Sequence, residues 1–184
     1  MAEIPPGEDE AQVIVAVADA AMHMYRAAID SLPRVDHPKF HNRAQVILSG
    51  LRKLQTSLAE AAGRNRSTPS VIVALSEARR RYDEVMTSAA EAPGATLGQR
   101  LYVARMRAKL SAQEVANGAG LPADVLDALE AGQQPSQEDE PKLKELLAAI
   151  DGISDSTEIT RPQRSVPDIH GWDENAVSGA NHHR

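Results

Sequence analysis

The stretch from Phe40 to Ala61 constrains the fold more than any other part of the chain. Phe40, Ala44, Ile47, Leu51, Leu54, Leu58 and Ala61 recur in alternating steps of four and three residues. That spacing draws one apolar stripe along an α-helix and predicts packing against other helices. Asp36 suits an N-cap for this helix and Gly63 a stop. Two neighbouring segments repeat the pattern. Ile14, Val17, Ala21, Met24 and Ala28 mark a helix that Pro33 ends, and Ile72, Leu75, Ala78, Tyr82, Val85 and Ala89 follow a start at Thr68-Pro69. Three such seams joined by short loops predict an antiparallel helical bundle over residues 11–91, preceded by a flexible start at 1–10.

Composition agrees with an all-α chain. Hydrophobic residues make up 42% of the sequence but aromatics only 3%, so the apolar mass is mostly Ala, Leu and Val, which favours helices over sheets. At 184 residues the chain has room for two small units. With no cysteine it has neither a disulfide framework nor a thiolate metal site. The acidic opening lacks the pattern of a secretory signal, and no apolar run approaches the roughly 18 residues that span a bilayer, so the expectation is a cytoplasmic protein with no membrane partner.

Pro93 and Gly94 within "EAPGAT" mark the boundary after the bundle, with 92–96 read as a linker. Thr96 with Gln99, and Ser111 with Glu114, have the spacing of capping boxes, in which a hydroxyl and the side chain three residues on satisfy each other's backbone N–H. Residues 97–152 then read as short helices separated by an "AGL" turn and an "AGQQPS" loop. From 153 to 184 the sequence is polar and aperiodic and reads as a disordered tail, with Trp172 as its one tryptophan.

The segment "LGQRLYVARMRAKLSAQEVANGAGLPADVLDALEAGQQPS" resembles the lambda-repressor and Cro-like (XRE-type) helix-turn-helix family. The resemblance covers only about 55 of the 184 residues. Leu101 and Ala104 match the core of the family's first helix, Val115, Ala116 and Ala119 the second, Gly120 its tight turn, and Leu126 and Leu129 the buried side of its third, recognition helix. Arg105 and Glu130 fall where the family commonly ties the first helix to the end of the third by a charge pair. The resemblance implies a DNA-associated transcriptional regulator.

The DNA-facing positions depart from the family's pattern. Where a glutamine commonly meets phosphate, this chain has Ala112. The recognition face reads Ala123, Asp124, Asp127 and Ala128, opened by Pro122, and no Arg, Lys, Asn or Gln is present to donate bidentate hydrogen bonds to base edges. Residues 97–152 carry six basic and nine acidic side chains, a net −3, where a polyanion binder is usually basic. Arg100, Arg107, Lys109, Lys142 and Lys144 are the candidates for phosphate contact, and Glu138, Asp139 and Glu140 lie where cations would be expected.

A second basic cluster lies in the bundle, at Arg64, Arg66, Arg79, Arg80 and Arg81. It suits phosphate or an acidic partner, including another copy's recognition helix, although three adjacent arginines cannot share one stripe of a helix. His37 and His41 have the four-residue spacing of paired ligands on a helix, but no third ligand accompanies them. No catalytic constellation, metal site or cofactor loop is evident. The expected function is non-enzymatic: a helix-turn-helix regulator acting at DNA as a homo-oligomer with weak base reading or, alternatively, an adaptor that uses a degenerate helix-turn-helix fold to bind protein.

Overall fold

The computed structural model describes residues 6–64 and 69–159. Among these the protein is entirely helical. Three long helices come first: α1 (Pro6–Asp30), α2 (Phe40–Arg64) and α3 (Pro69–Glu91). Four more follow: α4 (Leu97–Arg107), α5 (Ala112–Ala119), α6 (Ala123–Glu130) and α7 (Asp139–Ile159).

The long helices pack on one another around a core of small and aliphatic side chains. Six of the seven seam residues of α2 are buried, with Leu54 half-buried, and Leu48 joins them. On α3 the buried stripe is Val71, Ala74, Leu75, Ala78, Tyr82, Val85, Met86 and Ala89. Ile72, expected to open that seam, is exposed because Val71 takes the inward position. The Gln55 amide donates to the Ala78 carbonyl, and Arg52 donates to Tyr82, so α2 and α3 run antiparallel.

Helix α1 departs from its expected seam. Among its described residues Ala18 and Met22 are buried, and Ile14 and Ala28 of the expected seam pack half-buried against the same core, whereas Val17 and Met24 lie in solvent. The expected stripe was centred to one side of the face that is covered, because α2 and α3 both press on the Ala18–Met22 edge. Tyr25 of α1 packs so closely over Gly50 of α2 that a Cβ there would fall 2.2 Å from the phenol oxygen.

Several expected boundaries move. Helix α1 begins at Pro6, inside the start expected to be flexible, and α7 continues to Ile159, inside the tail expected to be disordered. Helix α2 starts at Phe40, so Asp36 does not cap it and instead pairs with Arg34 at 3.4 Å; Gly63 does not stop it, as the helix runs on to Arg64. The linker expected at 92–96 is a packed turn. Ala92 is buried in the core of the long helices, and its carbonyl accepts from the Ala95 N–H.

The short helices are organised by their ends. Both expected capping boxes are present, at Thr96–Gln99 and at Ser111–Glu114. The C-termini repeat one device, in which a residue of positive φ turns the chain so that the next N–H reaches back five residues. Lys109, Gly120 and Gly132 have φ of 59°, 67° and 104°. The N–H groups of Leu110, Leu121 and Gln133 then donate to the carbonyls of Arg105, Ala116 and Ala128 at 2.8, 2.9 and 2.9 Å. Leu101, Ala104, Val115, Ala116, Leu126, Leu129, Leu143 and Ile150 make a second core beneath them.

Candidate functional site

The region most like a working surface lies where α4 and α6 meet, and one residue with no side chain sets that meeting. A Cβ on Gly98 would fall 2.0 Å from the Leu129 carbonyl oxygen and 2.4 Å from its carbon. The start of α4 therefore touches the backbone near the end of α6, a distance only glycine allows. This contact carries Arg105 over to Glu130. The guanidinium Nε and Nη2 donate to the two carboxylate oxygens at 2.5 and 2.7 Å, with the side chains only 12% and 5% exposed. The carboxylate holds the guanidinium proton more firmly than usual, against the opposing effect of burial. The Tyr102 ring covers the pair's other side, 4.7 Å from the guanidinium carbon.

The same cluster joins the two groups of helices. Tyr102 meets Tyr82 of α3 edge to face, with centroids 5.5 Å apart and planes at 77°. Its hydroxyl donates to Asp83, and burial together with that bond pushes the phenol's pKa well up. Arg52 donates to the Tyr82 hydroxyl and also, at 3.2 Å, to the main-chain carbonyl of Asp127 in α6. Gln45 donates to the Ala131 carbonyl at 3.4 Å, just past the end of α6, where a Cβ on Gly132 would strike its amide. Two side chains of α2 thus satisfy carbonyls at the C-terminal end of α6, the negative end of its dipole. Gln45, Arg52, Tyr82, Asp83 and Tyr102 escaped the sequence reading as an interface. The available signal was that two of the chain's three tyrosines flank the 92–96 turn.

The other face of α6 remains free. Asp124 and Asp127 project their carboxylates into solvent, with Ala123 and Ala128 half-buried beside them, and Pro122 provides no side-chain cap. Three of the five cations expected to contact phosphate are occupied by carboxylates. Lys142 lies 3.4 and 3.5 Å from Glu138 and Asp139, Lys144 lies 2.7 Å from Glu140, and Arg107 is 3.9 Å from Glu91. The three acidic residues after α6 therefore hold the two lysines of α7. Arg100 and Lys109 are exposed without an ion-pair partner among the described residues. Arg100 lies in an open cleft of about 630 Å³ with Lys144, Glu140 and Asp151, which sets two cations against two carboxylates.

The basic cluster of the long helices does not assemble as a patch. Arg80 pairs with Glu77 and Glu84 at 2.8 and 2.9 Å, Arg81 binds the same two carboxylates at 3.1 and 2.9 Å, and Arg64 reaches Glu60 at 4.0 Å. Hydrogen bonding from Arg80 and Arg81, with Arg26 adding to it, holds the Glu77 carboxyl below its usual range despite partial burial. Arg79 is exposed and unpaired among the described residues, and Arg66 lies outside them. The cause is local: Glu77 and Glu84 lie three or four residues before and after Arg80 and Arg81, the spacing that brings side chains together on one helix face.

The histidine pair also separates. His37 lies in the turn before α2, where its Nδ1 accepts from the Lys39 N–H, so the four-residue spacing does not place two imidazoles on one helix. His41 buries its Nδ1 without a hydrogen bond beside Gly94. Among the described residues no group of three or more His, Asp or Glu could hold a metal, and no helix is long and apolar enough to cross a membrane. Trp172 lies outside the described residues.

What this architecture defines is an all-helical protein whose short C-terminal helices are docked on three long ones through a tyrosine–arginine cluster. The family MSMEG_6518_N, described as an N-terminal domain, matches residues 25–96 and so ends on the residue that caps α4. An uncharacterized protein of Mycolicibacterium smegmatis is 61% identical over 129 residues, which cover 70% of this chain and 100% of that protein. The chain belongs to the family of this Mycolicibacterium protein. No solved structure matches it.

Proposed function

We propose that the chain is a non-enzymatic adaptor in which α4–α7 form a helix-turn-helix unit used to bind protein, with the acidic face of α6 as its contact surface. The observation that carries this reading is the charge arrangement around α6. Asp124 and Asp127 stand exposed, while Lys142, Lys144 and Arg107 are already paired with carboxylates of the same chain. A duplex approaching that face would meet two negative charges and would find, of the five candidate cations, only Arg100 and Lys109 without a carboxylate partner among the described residues. The docking of the α6 C-terminus on Arg52 and Gln45 also favours a fixed platform over a helix that adjusts within a groove. A partner with a basic surface fits these charges.

Two measurements test the reading. Binding of the full chain to random-sequence duplex at low and at physiological salt should be absent, or weaker than about 10⁻⁴ M, at both. Salt-sensitive binding in the micromolar range would return the unit to DNA. In parallel, Asp124→Asn with Asp127→Asn should release a protein that the immobilised wild-type chain retains from extract, and identical retention by both chains removes α6 as the contact surface.

A further inference from the structure

One edge of α2 carries polar side chains that the fold leaves unspent. Asn42, Val46, Ser49 and Lys53 recur in steps of four, three and four, so they share one side of the helix. That side lines a groove of about 730 Å³, with Tyr25 and Ala28 of α1 across from it and Ile47 of α2 within it. The Tyr25 phenol reaches over the α2 backbone there because Gly50 carries no side chain to stop it. The side chains of Asn42, Ser49 and Lys53 and the Tyr25 hydroxyl make no hydrogen bond or ion pair among the described residues. Gln45, which also lines the groove, is the contrast, since its amide donates to the Ala131 carbonyl and accepts from Gln99, both at 3.4 Å.

The charge along this groove has one sign, in a chain whose net charge is −6. Lys53 stands at one end, and Arg43 lines the continuation past Ala28, Ser31 and Leu32. Neither has an ion-pair partner among the described residues, and no Asp or Glu lines either part. The carboxylates beside it in sequence point elsewhere or are engaged. Asp30 stands about 200° round α1 from Ala28, and Asp36 is held by Arg34 at 3.4 Å.

We infer that this groove is a binding site for a small organic anion with an apolar body, a carboxylate or a phosphate monoester. Ser49, Lys53 and the phenol above Gly50 lie within one turn of α2, so a hydroxyl, an ammonium and a second hydroxyl can donate to one anionic head. The body then lies over Ala28, Val46 and Ile47 and covers Val46, which is 73% exposed. A cationic head would meet Lys53 and Arg43 with no carboxylate to receive it. A wholly apolar ligand would bury the donors without acceptors, and an anion with no body would leave Val46 in solvent. The volume is that of sites for small ligands, and a few polar groups on an apolar lining is their usual composition.

Titration of the isotope-labelled full chain, followed by amide chemical shifts in NMR, tests the inference. Octanoate should saturate with a dissociation constant of roughly 1 mM or below and should move the amides of Ser49, Gly50 and Lys53 most. Octylammonium should move none of them. Lys53→Met and Tyr25→Phe should each weaken octanoate at least threefold. Helical content measured by circular dichroism should not change, because Lys53 is in solvent and phenylalanine keeps the ring over Gly50. Octanoate and octyl phosphate compared side by side assign the head, the tighter of the two naming its class. The absence of saturable shifts with either anion up to about 20 mM overturns the proposal. So does octylammonium binding as well as octanoate, or a Lys53→Met or Tyr25→Phe variant that binds undiminished. Inorganic phosphate that saturates the same amides as tightly as octyl phosphate overturns the apolar body.

Discussion

Helices α1 to α3, at 25, 25 and 23 residues, are long enough for a buried stripe to hold them, whereas α5 and α6, at eight residues each, depend on their ends. A helix of eight residues leaves half or more of its backbone donors and acceptors without intrahelical partners, and in isolation it would not form. The short helices answer with two capping boxes, three positive-φ turns, one glycine contact and a buried ion pair. The long ones answer with repetition. One group is therefore sensitive to the loss of a single atom group at a few positions, and the other spreads its stability over many interchangeable aliphatic contacts.

The sharpest way to break this contrast is to remove Glu130. Glu130→Ala strands the Arg105 guanidinium in a site only 12% exposed and should cost about 3–5 kcal/mol in denaturant melts. A loss below about 1 kcal/mol would mean that the pair acts like a surface bridge and that the short helices do not rest on it.

Glycine to alanine should act with opposite sign in the two groups. Gly98→Ala pushes a methyl group into the Leu129 carbonyl and should destabilise by about 1–3 kcal/mol, because backbone must move to admit it. Gly63→Ala, near the end of α2 with open space around it, should stabilise by about 0.5 kcal/mol through helix propensity alone. Equal signs in paired thermal melts would show that the close approach of α4 to α6 is not a constraint.

An effect as small as that at Gly63 is expected at Lys109. A side chain in the left-handed region costs about 1–2 kcal/mol, and glycine returns part of that gain by having more freedom to lose on folding. Lys109→Gly should therefore raise stability by about 0.5 kcal/mol, visible as a higher melting temperature. A lower one would assign Lys109 a contact that outweighs its backbone strain.

Much of the architecture was legible because it depends on neighbours in sequence. The stripe of α2, both capping boxes and the Gly120 turn are set within a few residues, and each is present as read. The Arg105–Glu130 pair was legible only through a family resemblance, as its members lie 25 residues apart. Periodicity misled at α1. It announces that a helix packs, but α1 carries two apolar runs in steps of three and four on different sides, one through Val17 and Met24 and one through Val15, Ala18 and Met22, and only the positions of α2 and α3 select between them. The basic clusters were misread for a related reason. Arg80, Arg81, Lys142 and Lys144 each have a carboxylate three or four residues away, so their charge is largely spent within their own helix.

By itself the sequence determined that this protein is helical, where its short helices begin and turn, and that α6 presents carboxylates and no base-reading donor. Those properties follow from backbone hydrogen bonding within a turn or two and from the chemistry of single side chains. The tertiary structure alone decided that 92–96 is a packed turn, that Arg52 and Gln45 reach the carbonyls of α6, that Tyr82 and Tyr102 close the seam between the two groups, and that Val17 and Met24 of α1 face outward. Each depends on the relative placement of helices, which many aliphatic contacts of nearly equal energy set together and no local pattern encodes.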